Sequence, residues 1–448
     1  MAAATHQYPP PAVAREGTRA CPDGRPPGQS PASDGDGASG AAAHRRLYRG
    51  AVTAPVAAAP SAPTAARGVG LYLHVPFCAR RCHYCDFNTY AGLDDLIPRY
   101  VAALRADLQA VAAAGPRGVA PPDAEVAREW PLFTSVYVGG GTPTLLPADD
   151  LAGILRLARD VLPVAADAEI TVEANPETVD AEYFAALVEA GVDRVSMGAQ
   201  SFTPAVLDFL GRWHDRERPL QAVADARAAG IRRVSLDLIY GAPVESDADW
   251  AATLDTVIAA GTDHVSAYAL TVEPNTEYAA RIRRGDAAAP DDDVQAARMA
   301  AADARLSAAG LARYEISNWA RPGQESRHNL TYWRGGDWLG VGAGAHGHWQ
   351  GRRWWSLRAP ARYADRALAG EPTTGGDEVL DARARRDERL LMGLRLVEGV
   401  PRAEVAPLDE TVVAALVAAG LLVDDGQRLR LTPAGLPVAN AVILRLAA

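Results

Sequence analysis

From Gly68 onward, short β-rich runs alternate with longer helical stretches, and this alternation constrains the fold more than any other feature of the chain. Gly70–Val75 precedes Leu96–Ala113, Thr134–Val138 precedes Ala148–Val161, and Glu169–Val172 precedes Ala181–Ala190. The rhythm continues with Arg194–Met197 before Arg216–Ala229, Arg233–Leu238 before Asp247–Ala260, and His264–Leu270 before Val294–Ala309. Strand–helix alternation implies a parallel sheet with helices on its outer face. Six such units suit a partial (β/α)6 TIM-like barrel better than a doubly wound sheet, although periodicity by itself leaves both open. The repeating part spans 68–310. A further segment follows over 311–375, Trp- and Gly-rich from Trp319 to Trp355, with a turn signal at Arg321-Pro322-Gly323. Beyond Gly375-Gly376, Asp387–Leu396 and Thr411–Ala419 read as helices and Arg428–Thr432 as a short strand. Together these predict a small winged-helix-like module over 376–448.

Composition excludes several classes. Apolar residues make up 48 % of the 448, enough for a sizeable core. No uninterrupted apolar run is long enough to span a membrane, and the N-terminus does not read as a secretory signal. A formal net charge of −10 argues against non-specific nucleic-acid binding, which needs a basic footprint. All 45 residues of the Lys+Arg count are arginine, so neither Schiff-base chemistry nor the lysine of a P-loop is available. Residues 1–67 are rich in Ala, Pro, Gly and Ser without apolar periodicity. They read as a disordered extension with no catalytic part.

The chemistry concentrates in Cys78-Ala-Arg-Arg-Cys82-His-Tyr-Cys85, the loop after the first strand. Three thiolates on one short loop can ligate three irons of a cubane cluster, which leaves the fourth iron open to a small molecule. Zinc is the rival, but structural zinc usually takes two separated pairs of ligands. The remaining cysteine, Cys21, lies in the N-terminal extension, so a zinc set would need His74 or His83. Clustered cysteines in a chain of this length do not make a disulfide framework, and they fit a reducing cytoplasm.

In a barrel of this kind the active site collects at the C-terminal ends of the strands. Polar residues fall there strand after strand. Gly139-Gly140-Gly141-Thr142-Pro143-Thr144 follows the second strand, a backbone whose N–H and C=O groups could meet an amino acid's ammonium and carboxylate. Glu173 ends the third strand, Gln200 the fourth and Asp237 the fifth, with Arg212 in the loop after the fourth. Such a rim offers carboxylates to ribose hydroxyls and a guanidinium to a substrate carboxylate.

These residues resemble the radical S-adenosylmethionine (SAM) superfamily, whose CxxxCxxC signature stands at Cys78, Cys82 and Cys85. More narrowly, Tyr72-Leu-His74-Val-Pro76-Phe-Cys78 and Asp237-Leu-Ile-Tyr240-Gly241 look like the oxygen-independent coproporphyrinogen III oxidase group. The resemblance implies a [4Fe–4S] cluster on the three cysteines. It also implies SAM contacts from Tyr72, the Gly140, Gly141 and Thr142 backbone, Glu173, Gln200, Arg212 and Asp237. The oxidases carry a fourth cysteine where this chain has Phe87. His328-Asn329-Leu330-Thr331-Tyr332-Trp333 matches instead the HNxxYW motif of the heme chaperones called HemW, and Glu315-Ile-Ser317-Asn318-Trp319 also looks like that branch.

The resemblance therefore implies a cytoplasmic chaperone that binds heme, with His328 as axial ligand, and passes it to hemoprotein acceptors. An electron donor, unidentified by the sequence, would reduce the cluster. The enzyme alternative is radical decarboxylation of coproporphyrinogen III. His346 and His348 rank below His328 as heme ligands, because the surrounding glycines suggest tight packing. The C-terminal module is a candidate for homodimer formation, substrate cover or partner docking, and its composition does not choose between them.

Overall fold

A computed structural model describes residues 68–448 apart from 123 and 126. The expected disordered extension and Cys21 lie outside the described residues. Strands β1 (Val69–Val75), β2 (Phe133–Gly140), β3 (Val164–Ala174), β4 (Arg194–Gln200), β5 (Arg233–Tyr240) and β6 (His264–Ala269) pair side by side in parallel. The helices between and after them are α1 (Ile97–Ala114), α2 (Ala148–Val161), α3 (Ala181–Glu189), α4 (Pro204–Leu210), α5 (Arg218–Ala229), α6 (Asp247–Ala259), α7 (Glu277–Arg284) and α8 (Asp292–Ala308). The short helices α4 and α7 were not expected from the sequence. Both sit in βα loops, where they buttress the cysteine loop.

Strand side chains alternate faces, and here the alternation separates two chemistries. Leu71, Leu73, Val136, Val138, Val172, Val195, Leu236 and Val265 lie in the main core together with helix residues such as Leu104, Leu155, Phe184 and Leu254. The other face of the same strands carries Tyr72, Ser135, Tyr137, Glu173, Arg194, Ser196, Ser235, Asp237 and His264. The partial barrel thus has an apolar outer core and a polar, aromatic inner face.

The Trp- and Gly-rich segment, read from sequence without strands, extends this sheet at both edges to twelve strands. Strands β7 (Ala312–Glu315) and β8 (Asn318–Ala320) form a hairpin antiparallel to β6. After α9 (Arg327–Trp333), β9 (Asp337–Val341) pairs parallel with β1. Strands β10 (His346–Trp349), β11 (Arg352–Ser356) and, after α10 (Pro360–Leu368), β12 (Thr374–Val379) then continue antiparallel. Alternation fails as a guide there because glycine replaces side chains where indoles press on the sheet. A Cβ on Gly347 would lie 2.1 Å from the Trp354 ring.

The C-terminal part contains α11 (Ala382–Gly393), α12 (Glu410–Ala418) and α13 (Ala439–Ala447). With them is a small antiparallel sheet of β13 (Val400–Pro401), β14 (Leu422–Asp424) and β15 (Arg428–Leu431), with β15 in the middle. Its own core joins Leu390, Leu394, Val413, Leu416, Leu429, Val442 and Ile443. Helix α11 starts at Ala382, ahead of the expected Asp387, because the Asp381 side chain caps it by accepting from the Ala384 N–H at 2.8 Å. Among the described residues no helix is long and apolar enough to cross a membrane.

Candidate functional site

The cysteine loop is held from three sides. His83 donates from its backbone N–H to the Leu210 carbonyl (3.1 Å) and from Nδ1 to the Phe209 carbonyl (2.9 Å), tying the loop to the end of α4. Tyr278 of α7 donates its N–H to the His83 carbonyl at 2.8 Å. At the loop exit, Asn88 donates to the carbonyls of Ala343 and Arg358, both at 3.0 Å, so the added edge strands brace the loop.

All three thiols are partly buried. Burial pushes the Cys78 thiol up and the Cys85 thiol up to about 12. Cys78 and Cys85 so placed need a strong local cation to persist as thiolates, and bound iron would provide one. Arg212 Nη1 stands 3.5 Å from Cys82 Sγ, and Thr142 Oγ1 stands 3.9 Å from Cys78 Sγ. Among the described residues no group of His, Cys, Asp or Glu converges on a single-ion site. The ligands of a cubane stand on separate irons and need no such convergence. His74, a zinc candidate by sequence, is committed: Nε2 donates to the Asn88 carbonyl (3.1 Å) and Nδ1 accepts from the Tyr72 hydroxyl (2.9 Å).

The rim residues are brought together. Gly140 N–H donates to Glu173 Oε2 at 3.0 Å, and Tyr137 donates to Glu173 Oε1 at 2.7 Å. Gly140 has φ +119°, and a Cβ there would lie 2.5 Å from the His74 ring, so glycine is required on both counts. Gly141 N–H donates to the Val75 carbonyl and Thr142 N–H to the Phe77 carbonyl. This corrects the expectation of free donors: the three N–H groups are spent inside the protein, so this backbone can serve a ligand only through carbonyls, which suit an ammonium.

Gln200 is held at φ +65°, a left-handed conformation costly outside glycine and often found at functional sites. Arg212 donates to Asn175 Oδ1 (3.0 Å) and the Gly198 carbonyl (2.8 Å), while its Nε is buried without a partner. An unpaired guanidinium N–H in this position is suited to an anionic ligand. Asp237 accepts from Ser196 at 3.0 Å, and burial pushes its carboxyl up. Tyr72 is buried, and its ring stacks on Tyr137 with centroids 6.2 Å apart. Sequence reasoning missed Tyr137 and Asn175, which orient Glu173 and Arg212. The alternation of β2 would have placed Tyr137 on the polar face, whereas the role of Asn175 depends on a loop crossing.

His328 is not the accessible ligand expected. It is 1 % exposed on α9, under the N-terminal ends of the inner face. Its Nδ1 is bonded to Ser135 Oγ (2.9 Å) and its Nε2 to the Tyr332 hydroxyl (2.7 Å), and the ring stacks on Tyr137. With both nitrogens engaged, the imidazole has none left for an iron. Glu169, fully buried on β3, fixes the helix by accepting from the Arg327 and His328 N–H groups, both at 3.0 Å, and from Ser326 Oγ at 3.3 Å. Arg233 neutralises this carboxylate at 2.9 Å.

Burial pushes the His328 imidazole down to about 3 and that of His214 to about 4, and it lowers His264 well below its usual value. The unfolded chain takes up protons on these groups below its own value of about 6.5, while the folded chain refuses them. The stability these histidines contribute is therefore full above that value and is lost as pH falls toward 3. Glu245, whose carboxyl burial raises to about 7, acts in the opposite sense over part of the same window, so the test is a difference. Between about pH 7 and about pH 5 the urea midpoint of His328→Asn should fall less than that of the unaltered chain.

Residues 72–257 match the model of the Radical SAM superfamily, and residues 380–438 match that of the HemN C-terminal domain. A protein named heme chaperone HemW from Mycobacterium tuberculosis is 47 % identical over 88 % of this chain and 98 % of its own length. The chain belongs to the HemW family. Within that family, the Escherichia coli heme chaperone HemW is 36 % identical over 75 % of this chain and 85 % of its own. The solved structure of E. coli coproporphyrinogen III oxidase (HemN), a radical SAM enzyme, aligns with a TM-score of 0.72 over 85 % of this chain and 90 % of its own. At 21 % identity it shows the shared fold. The mostly parallel sheet and the cysteine loop of this HemW-family chain are those of a radical SAM protein, and that membership implies a [4Fe–4S] cluster and SAM.

Proposed function

We propose that this chain is a heme chaperone that carries a [4Fe–4S] cluster and SAM and delivers heme to hemoprotein acceptors. One observation carries the reading: the 47 % identity to a protein named heme chaperone HemW extends over nearly all of that relative, in a chain with Phe87 at the fourth cysteine position of the oxidases. In this reading Cys78, Cys82 and Cys85 hold the cluster. The carbonyls of the Gly140–Thr142 turn take the SAM ammonium and Arg212 its carboxylate. Glu173, Gln200 and Asp237 face the ribose and adenine, and Tyr72 supports the turn through His74. When bound, the cluster supplies an electron to the sulfonium of SAM. The protein's own part is to orient both groups and keep water away.

The test is one anaerobically reconstituted sample in two assays. Hemin titration should give a saturable Soret band, and incubation with coproporphyrinogen III, SAM and a reductant should give no protoporphyrinogen. Decarboxylation with two methionines per product would favour the oxidase reading instead. Absence of any heme binding would remove the chaperone reading.

A further inference from the structure

A cavity of about 560 Å³ opens between β9, β10 and α11, within the size range of small-molecule and cofactor pockets. It lies at the N-terminal ends of β1 and β9, a strand's length from the cysteine loop. Trp338 and His348 sit directly opposite each other on β9 and β10, their rings stacked with centroids 5.1 Å apart. Helix α11 lines the other wall with Arg385, Arg389 and Met392, which share one face at four- and three-residue spacings.

His348 differs from His328 in what its nitrogens do. Nδ1 lies 3.2 Å from Asp337 Oδ1, yet off hydrogen-bond alignment, so it stays buried without a hydrogen-bond partner. A small turn of the ring would complete that bond. No described residue is hydrogen-bonded to Nε2. A cavity-lining imidazole with a carboxylate beside Nδ1 and Nε2 left unbonded matches the arrangement of an axial iron ligand.

The charges of the lining point the same way. Glu388 is held by Arg353, Glu404 by Arg389, and Asp337 by the Gln350 N–H. Arg386 bonds Asp387. Of the three lining arginines, Arg385 alone has a guanidinium with no hydrogen-bond or ion-pair partner among the described residues; its backbone N–H bonds the Asp381 carbonyl. A free guanidinium at the mouth of an aromatic-walled cavity suits the carboxylate of a flat apolar ligand.

We propose that heme binds in this cavity with His348 as axial ligand through Nε2, Asp337 orienting the ring and a propionate on Arg385. The assignment rests on the heme-binding reading above and moves the ligand away from the HNxxYW motif. That motif then has a positioning role. The Tyr332 ring packs edge-on against Trp338 at 4.7 Å, and His328 lies behind Tyr332 at 4.9 Å, so changes in the motif reach the cavity through packing.

The test is hemin titration of the reconstituted full chain, followed by the Soret band and the ferric electron paramagnetic resonance spectrum. His348→Ala should weaken binding by at least about tenfold, the scale expected when a ligand or its support is lost. It should also shift the Soret band. His348→Cys should give the ferrous–CO spectrum of a thiolate-ligated heme, a signature that mere structural damage would not produce. His328→Asn should leave the spectral type unchanged. Wild-type spectra and affinity in both His348 variants would overturn the assignment, as would loss of the signal in His328→Asn alone. If the wild-type chain binds no heme, the chaperone reading falls and the assignment falls with it. Unequal results between the variants therefore separate the two failures.

Discussion

Cys82→Ser is expected to leave the purified protein with iron and labile sulfide near background, before and after anaerobic reconstitution. The loop offers three thiols, and a cubane held by two of them has lost the ligand set that leaves a single open iron. Cys82 is the most telling of the three because its Sγ faces Arg212 at 3.5 Å. The same guanidinium is tied to Asn175 and to the bulged end of β4. The substitution therefore removes both an iron ligand and the anion that Arg212 faces. Support residues around a metal typically change affinity by roughly 10–100-fold, so loss of a ligand should weaken SAM binding by about 100-fold or more. Equilibrium dialysis with labelled SAM reads this directly. Heme titration of the same variant should be unchanged, since the proposed heme cavity lies at the opposite end of β1. Full iron content in the variant would show that Cys82 is not a cluster ligand.

Glu169→Gln is expected to cause a large loss of stability. The carboxylate is fully buried, neutralised by Arg233 and bonded to two N–H groups and one hydroxyl at the start of α9. A negative charge at a helix N-terminus is favourable in itself. Glutamine keeps the shape but removes the charge. It would leave Arg233 paired only with Asp193 and would bring an NH₂ toward N–H donors wherever its nitrogen replaced an oxygen. Breaking a buried pair outright costs about 3–5 kcal/mol; with Asp193 still on Arg233 the loss should approach the lower end of that range. Urea unfolding followed by tryptophan fluorescence should show a midpoint shift of that size. A change below about 1 kcal/mol would mean that other contacts hold α9 in place.

The rim of the site was legible because its signals are local. A strand's end can be located from periodicity, and a polar residue there in a parallel α/β fold falls at the catalytic mouth. Glu173, Gln200 and Asp237 needed no more than that. The cysteine loop was legible because its ligands are close in sequence. The state of the glycine turn was not, since Gly140, Gly141 and Thr142 spend their N–H groups on residues from β3, β1 and the segment just after β1. Nor was the role of the tryptophan-rich segment. Its strands alternate glycine with indole, and only pairing with β1 and β6 makes them strands.

The two histidine motifs mark the boundary most clearly. HNxxYW, by its match to a family motif, suggested a ligand at His328, and the glycines around His348 suggested packing. The folded chain places the two imidazoles differently. His328 is sealed between Ser135, Tyr137 and Tyr332, whereas His348 faces a cavity walled by a helix of the C-terminal part. The sequence alone determined the strand–helix order, the cluster loop and the polar ends of the strands, because each depends on neighbours within a few residues. Which imidazole faces a cavity and which is buried was decided only by the tertiary structure. That choice depends on where α9 and α11, which end and begin at Trp333 and Ala382, come to rest against the sheet.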